Sequence, residues 1–526
     1  MSDALMLLRL CLLAMFLWPL AGQSEDLLIR QITVISADAQ QIQRFKADVL
    51  LQNDMIAAIG RPNLPNPSAI KTIDGRGKYL IPGLIDSHVH LANIAGMHWG
   101  AQRKQQALVS AYLQQLPKSY LYHGFTTLID LNNYNPALVA TVAAAVPAPR
   151  ILHCGAQLQL LHDFNVAMED LPDAARRQLP YLALSPDQDD AGHSHSIVAA
   201  VKRVRQQQGR CLKIIYEDET VALPVSWQSP DLPLLTALAQ QSDLPLVIHA
   251  PSEQGHRLAL QAKAQVLAHG LWGWPLQKDS FWSANLSPTQ QQLLGDIAKA
   301  GIGYQPTLRT ILAEHELLQG KVLADPSLRH VYPPTYLAYL NTASAQWAQS
   351  QILRRPQRWS QQVQQLMADQ QLAGPAIFDR VYPLYQQRLT QVLQFLSQHQ
   401  ANLLLGSDTP AMNLYSNPPG YNGFLEMQSW AAAGVPLAQI FRAATYNNAH
   451  TFALDKLGAV QTGYHADLLI LSSDPLQDVA AYNDIDMVIR QGILYPRTAL
   501  SALAQQPAGV TVTTPNQAPA NRFAAD

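Results

Sequence analysis

At 526 residues, with 48% apolar and 14% charged side chains, the chain can bury a large core and hold one large domain plus a smaller one, which excludes disordered and fibrous classes. Its formal charge of −2 gives no field for nucleic acid or an anionic membrane, and no Arg/Lys cluster stands among its motifs. A polyanion-binding role is not expected on those grounds.

Residues 5–20 (LMLLRLCLLAMFLWPL) form an apolar run too short and too early for an ordinary spanning helix, followed by the small residues Ala21, Gly22 and Ser24. The stretch 1–24 reads as a secretory signal, which places the mature chain in the periplasm or outside the cell with no stable membrane insertion. Asp3 and the single basic residue Arg9 make an atypical start, and an uncleaved N-terminal anchor is the alternative. Cleavage removes Cys11 and leaves Cys154 and Cys211, too few for a disulfide framework in a chain this large. Their apolar settings (ILHCGA, RCLKIIY) favour buried thiols, with one bridge between them left open.

From Leu27 to Leu80 short alternating runs are broken by turns, and the same texture returns in HADLLILSSDP and DMVIRQGILY. Segments 25–80 and 457–500 are therefore expected to pair into one small β domain. Between them lie eight apolar runs separated by helical stretches: LIDSHVH, FTTLIDL, RILHCGAQL, RCLKIIYE, LPLVIHA, AQVLAHG, GIGYQPTL and NLLLGSD. Apolar runs in that number and alternation predict a parallel (β/α)8 barrel over 81–456. Pro436, followed by Leu437, Ile440, Phe441 and Ala444, marks a helix start, and Gly434 ends the helix before it. Residues 181–200 read as a long loop, residues 309–400 as a helical insertion of lid or peripheral type, and residues 501–526 as a tail without fixed structure.

Polar residues at the ends of these runs carry the chemistry. His88 and His90, two apart in PGLIDSHVH, project from one side of an extended chain, where neutral imidazoles can grip a transition metal. Lys213 lies within the fourth run, His249 ends the fifth, His269 the sixth and Asp408 the eighth. Each alone has an ordinary explanation, such as a snorkelling lysine, a hydrogen-bonded core histidine or a helix cap. Together they put metal-competent groups at the end of a barrel where active sites form.

Through PGLIDSHVH, HGFTTLIDL, LKIIYE, VIHA, AHG, LLLGSDTP, EMQSWAAAGVPLAQIFRAATYNNAHTFAL and GAVQTGYHADLLILSSDP, the chain resembles the metal-dependent amidohydrolase superfamily over roughly residues 27–495. The likeness is to the branch of imidazolonepropionase-like proteins and prolidase-like Xaa-Pro or Xaa-Arg dipeptidases. It implies a distorted (β/α)8 TIM barrel with a small β-sandwich built from both termini. It also implies two divalent ions, zinc first among them. His88, His90 and Asp408 would hold the more buried ion and His249 and His269 the more exposed one. Lys213, carboxylated by carbon dioxide, would bridge both, since an ammonium has no lone pair to offer a cation. A hydroxide shared by such ions would attack a polarised carbonyl, with Asp408 as proton shuttle.

The implied activity is hydrolysis of an amide, peptide-like or cyclic amide bond in a small molecule. A lactonase or carboxylesterase on the same site is one alternative, and a non-catalytic binding protein on the same fold another. Where relatives of this branch often have a small glycine-containing segment, Tyr216, Glu217, Asp218 and Glu219 follow the lysine. Tyr216 is a candidate substrate contact, and the acidic residues are either selective for a cation or part of a solvated turn. Oligomeric state is left open.

Overall fold

The computed structural model describes residues 26–61, 64, 70–160, 183–184, 189–190, 193–194, 197–218, 220, 231–411 and 414–505. The expected signal, 1–24, and the last part of the expected tail, 506–526, lie outside the described residues. The start of that tail is ordered: Ser501 and Ala502 are buried, and the Ser501 hydroxyl meets His330 Nδ1 at 2.9 Å.

Both ends of the chain enter one sheet. Its hydrogen-bonded order runs Ile493–Pro496, Ile485–Arg490, Leu468–Leu471, Tyr79–Pro82, Leu27–Ala37, Ile42–Gln52, Met55–Gly60, with Lys71–Asp74 also paired to Leu27–Ala37. The alternating apolar residues that made these runs legible fill a core of their own, including Leu27, Ile29, Val34, Val49, Leu468 and Ile489. Gly83 then connects Tyr79–Pro82 directly to the first barrel strand. Any Cβ at Gly83 would fall 1.9 Å from Thr126 Oγ1, so only glycine lets the two strands approach there.

Seven of the eight expected barrel runs form parallel strands. Leu84–Val89, Phe125–Asp130 and Arg150–His153 make one arc, and Leu212–Ile215, Leu246–His249, Val266–Ala268 and Gly303–Gln305 make another. These are barrel strands one to seven. The expected regular eighth strand is corrected: NLLLGSD forms no continuous ladder but is joined by isolated bridges at residues 403 and 409 to Tyr304 and Val89, with single backbone bonds such as Leu404 N to Tyr304 O beside them. Asp408 has φ +53°, which turns the chain out of the extended region, and Pro410 has no N–H to donate. A single bridge, Leu158 to Ile214, spans strands three and four, so no closed barrel ladder exists among the described residues.

The preference for free thiols is also corrected. Cys154 and Cys211 are fully buried and joined as a disulfide. Arg210 N donates to His153 O at 2.7 Å, which seats the end of strand three beside the start of strand four and brings the sulfurs together. Within the expected loop 181–200, the short pairs Ala183–Leu184 and Gln159–Leu160, and Asp189–Asp190 and His193–Ser194, form two small ladders before the helix Ile197–Gln206 begins.

The helical insertion leaves strand seven through Leu308–Leu318 and returns through Pro375–Gln398. It packs on loops at the C-terminal end of the strands. Tyr336 and Tyr339 donate to Ala95 O (2.5 Å) and Gly96 O (3.3 Å) after His90, and the buried Arg388 donates to Trp272 O (2.9 Å), Ser283 O (3.0 Å) and Phe281 O after His269. Four carbonyls, counting Ser280, thus satisfy a guanidinium that stacks over Trp274.

Candidate metal centre

Strand one delivers His88 and His90 to the same carboxylate oxygen. His88 Nε2 and His90 Nε2 lie 3.3 and 2.8 Å from Asp408 Oδ1. The irregular run carrying Asp408 is held against strand one by buried Asp86, which accepts from Ser407 N (2.9 Å), Ser407 Oγ (2.5 Å) and His88 N (3.2 Å). Asp408 N donates in turn to His88 O at 2.7 Å. These side-chain bonds add to the backbone bonds Ser87 N to Leu405 O and His90 N to Thr409 O, and together they fix Asp408 beside the histidines.

His269 joins from strand six, its ring 5.0 Å from that of His88 and 4.2 Å from that of His249. One ligand-capable atom each from His88, His269 and Asp408 falls within 4.8 Å of the others. Lys213, on strand four in register with Val247, is 2% exposed, and its Nζ has no hydrogen-bond partner among the described residues. Its charge is felt at His88 and His269, and that of Asp408 at Lys213.

The electrostatics suit ligation. Burial pushes Lys213 down to about 7, opposed by the Asp408 charge. Burial also holds His88 and His269 well below their ordinary value, hence neutral with a lone pair. Burial works against an ionised Asp408, but its contacts with His88 and His90 outweigh it and hold the group well below the usual carboxylate range, the His90 hydrogen bond persisting where His88 is neutral. Among the described residues, both nitrogens of the buried His88 lack hydrogen-bond partners, as does Lys213 Nζ. Orphaned buried polar atoms of this kind are costly unless something binds them, and a divalent cation fits this donor set.

Among the described residues, three outside the expected ligand set touch the centre. Glu217 Oε1 lies 2.7 Å from His249 Nε2, Thr307 Oγ1 lies 2.9 Å from His269 Nδ1, and Thr310 Oγ1 donates to Asp408 Oδ2 at 3.2 Å. Glu217 belongs to the acidic run noted above, and its 13% side-chain exposure is not that of a solvated turn. Tyr216 is buried, with its ring where a Cβ on Gly255 would meet it at 2.9 Å.

The fold is α/β of the TIM-barrel-like kind, and His88, His269 and Asp408 form a group that could bind a divalent ion. The amidohydrolase family matches residues 79–269 and 389–494, more than half of the chain, and the chain belongs to that family. Among curated relatives, an adenine deaminase of Deinococcus radiodurans is 41% identical over 71 residues, 13% of this chain and 12% of the relative, and a dihydroorotase of Trichlorobacter lovleyi 32% over 91 residues, 17% and 19%. The chain thus spans less than a fifth of these relatives' length. Among solved structures, a Xaa-Pro dipeptidase superposes with TM-score 0.59 at 17% identity, covering 90% of this chain and 100% of that one. An ochratoxinase of A. niger gives 0.57 at 16%, covering 90% and 96%. These likenesses give the α/β fold.

Proposed function

We propose that the chain is an exported binuclear metallohydrolase that cleaves a carbon–nitrogen bond, amide, peptide-like or cyclic, in a small molecule. The observation that carries this reading is a buried lysine without a hydrogen-bond partner, set among His88, His269 and Asp408 in the interior of an amidohydrolase fold. The names of the curated relatives, deaminase, dihydroorotase and dihydropyrimidinase, all concern C–N bonds, and a structural neighbour is a dipeptidase.

In this reading His88, His90 and Asp408 would hold one ion and His249 and His269 the other. Lys213, held down to about 7 by burial, would take up carbon dioxide with loss of a proton, and the resulting carbamate would serve as an anionic ligand to both. Divalent cations, zinc the first expectation, supply an acidified water and a Lewis acid for the substrate carbonyl. Asp408, ionised, accepts a proton from the attacking water and returns it to the leaving nitrogen. Export is supported by the disulfide, which persists in oxidising compartments. N-terminal sequencing of protein from its own host tests it, intact Met1 on membrane-bound protein pointing to an anchor.

Metal analysis of protein prepared with zinc and bicarbonate, followed by a hydrolysis screen with acyl amino acids, dipeptides, lactones and aryl esters, tests the whole reading. Close to two ions per chain and turnover of a C–N substrate are expected. A stable stoichiometry near one, or turnover of esters alone, overturns the corresponding part.

A further inference from the structure

We infer that Glu217, outside the expected ligand set, is a positioning residue that presents His249 to the metal centre through Nδ1. The inference rests on the binuclear reading above. A carboxylate only accepts, so at 2.7 Å from Glu217 Oε1 the Nε2 of His249 carries the proton and donates it. With that proton on Nε2, the lone pair the ring can offer a cation is on Nδ1. His269 is anchored at the other nitrogen, Nδ1 against Thr307, which leaves Nε2 for the centre. Two adjacent imidazoles, ring centroids 4.2 Å apart and planes at 67°, are thus fixed from opposite nitrogens.

The neighbours of Glu217 hold it in place. Ile215 pairs with His249 in the strand four to strand five ladder, and Tyr216 N donates to His249 O at 2.8 Å. Asp218 Oδ2 accepts from Ser252 Oγ at 2.6 Å, and the same Ser252 oxygen accepts from Gly255 N at 3.1 Å, capping the helix Glu253–Gln261. Residues 216–218 are therefore stitched across the end of strand five, and the carboxylate between the two anchors has little room to swing. A carboxylate behind a ligating histidine fixes ring orientation and raises its basicity, and loss of such a partner costs roughly 10- to 100-fold in metal affinity.

The test is equilibrium dialysis of full-length wild type, Glu217→Leu and Glu217→Gln against chelator-buffered zinc, with ions counted per chain and melting of the metal-stripped proteins as a check on folding. Glu217→Leu should bind one of its two ions roughly 10- to 100-fold more weakly, the other unchanged. Glu217→Gln, whose amide oxygen still accepts from Nε2–H, should fall between Leu and wild type. Two ions held with equal affinity by wild type and Glu217→Leu overturn the inference alone. If Glu217→Leu does not fold, wild-type affinity in Glu217→Gln overturns it. Wild type that never holds more than one ion overturns the binuclear reading and this inference with it.

Discussion

Thr310 donates to Oδ2 of Asp408 at 3.2 Å while His90 sits 2.8 Å from Oδ1, so the first turn of the helical insertion and the first barrel strand grip one carboxylate from its two sides. A base gripped in this way is separable from a helix cap by one substitution. Asp408→Asn keeps size and one acceptor oxygen but removes the base. It should retain the fold and much of the metal while losing roughly 10²- to 10⁴-fold in kcat. A cap would predict little cost, since Asn caps nearly as well as Asp. Metal content, Tm and kcat on one preparation decide between them, and an active Asp408→Asn enzyme removes the shuttle.

Lys213→Ala should release metal and abolish turnover, with small carboxylates partly restoring both by supplying an anionic bridge. The basis is the buried Nζ that no protein group satisfies. Near-wild-type metal content and activity in Lys213→Ala would show that the amine serves no ligand.

Replacing Cys154 and Cys211 together with alanine opens a cross-link between residues 57 apart. The expected loss is roughly 2–4 kcal/mol in urea unfolding, because the unfolded chain regains the entropy of that loop. Reduction of the wild type should cost a similar amount, and equal midpoints for oxidised and reduced protein would count against any stabilising role.

His256 gives a pH dependence with a definite sign. Its Nε2 lies 2.8 Å from Tyr304 OH and its Nδ1 3.0 Å from Ser252 O, and burial lowers its pKa to about 4 from 6.5. The unfolded chain takes up this proton near 6.5, the folded one only near 4. Its contribution is whole above pH 6.5 and is lost as pH falls toward 4, up to about 3 kcal/mol. Urea unfolding of metal-stripped wild type and His256→Gln at several pH values across that window checks it: the variant should fall less steeply, and parallel curves would refute the assignment.

The terminal sheet and seven strands were readable because each run carries its burial in its own residues, as in LIDSHVH or HADLLIL. NLLLGSD was equally apolar, but apolarity reports burial and not ladder pairing. The turn at Asp408 depends on Asp86 and Ser407, which only the fold brings together. His88, His90, Lys213, His249, His269 and Asp408 were legible as chemistry that recurs at run ends. Glu217 was hidden in an acidic stretch whose burial requires the end of strand five, and Thr307 and Thr310 carry hydroxyls with no pattern to betray them. The cysteine pairing likewise waited on the adjacency of strands three and four.

The strand Tyr79–Pro82 finds one neighbour in Leu27–Ala37 and the other in Leu468–Leu471, on the far side of every barrel element. During synthesis the strand Tyr79–Pro82 leaves the ribosome with that edge unfilled until residues 468–471 have been made. Non-local pairing of that kind is slow, and an open edge is prone to join the wrong partner. The segment that enters strand one two residues beyond Pro82, and so leads to His88 and His90, is thus flanked by a strand whose second partner is supplied from the far end of the sequence.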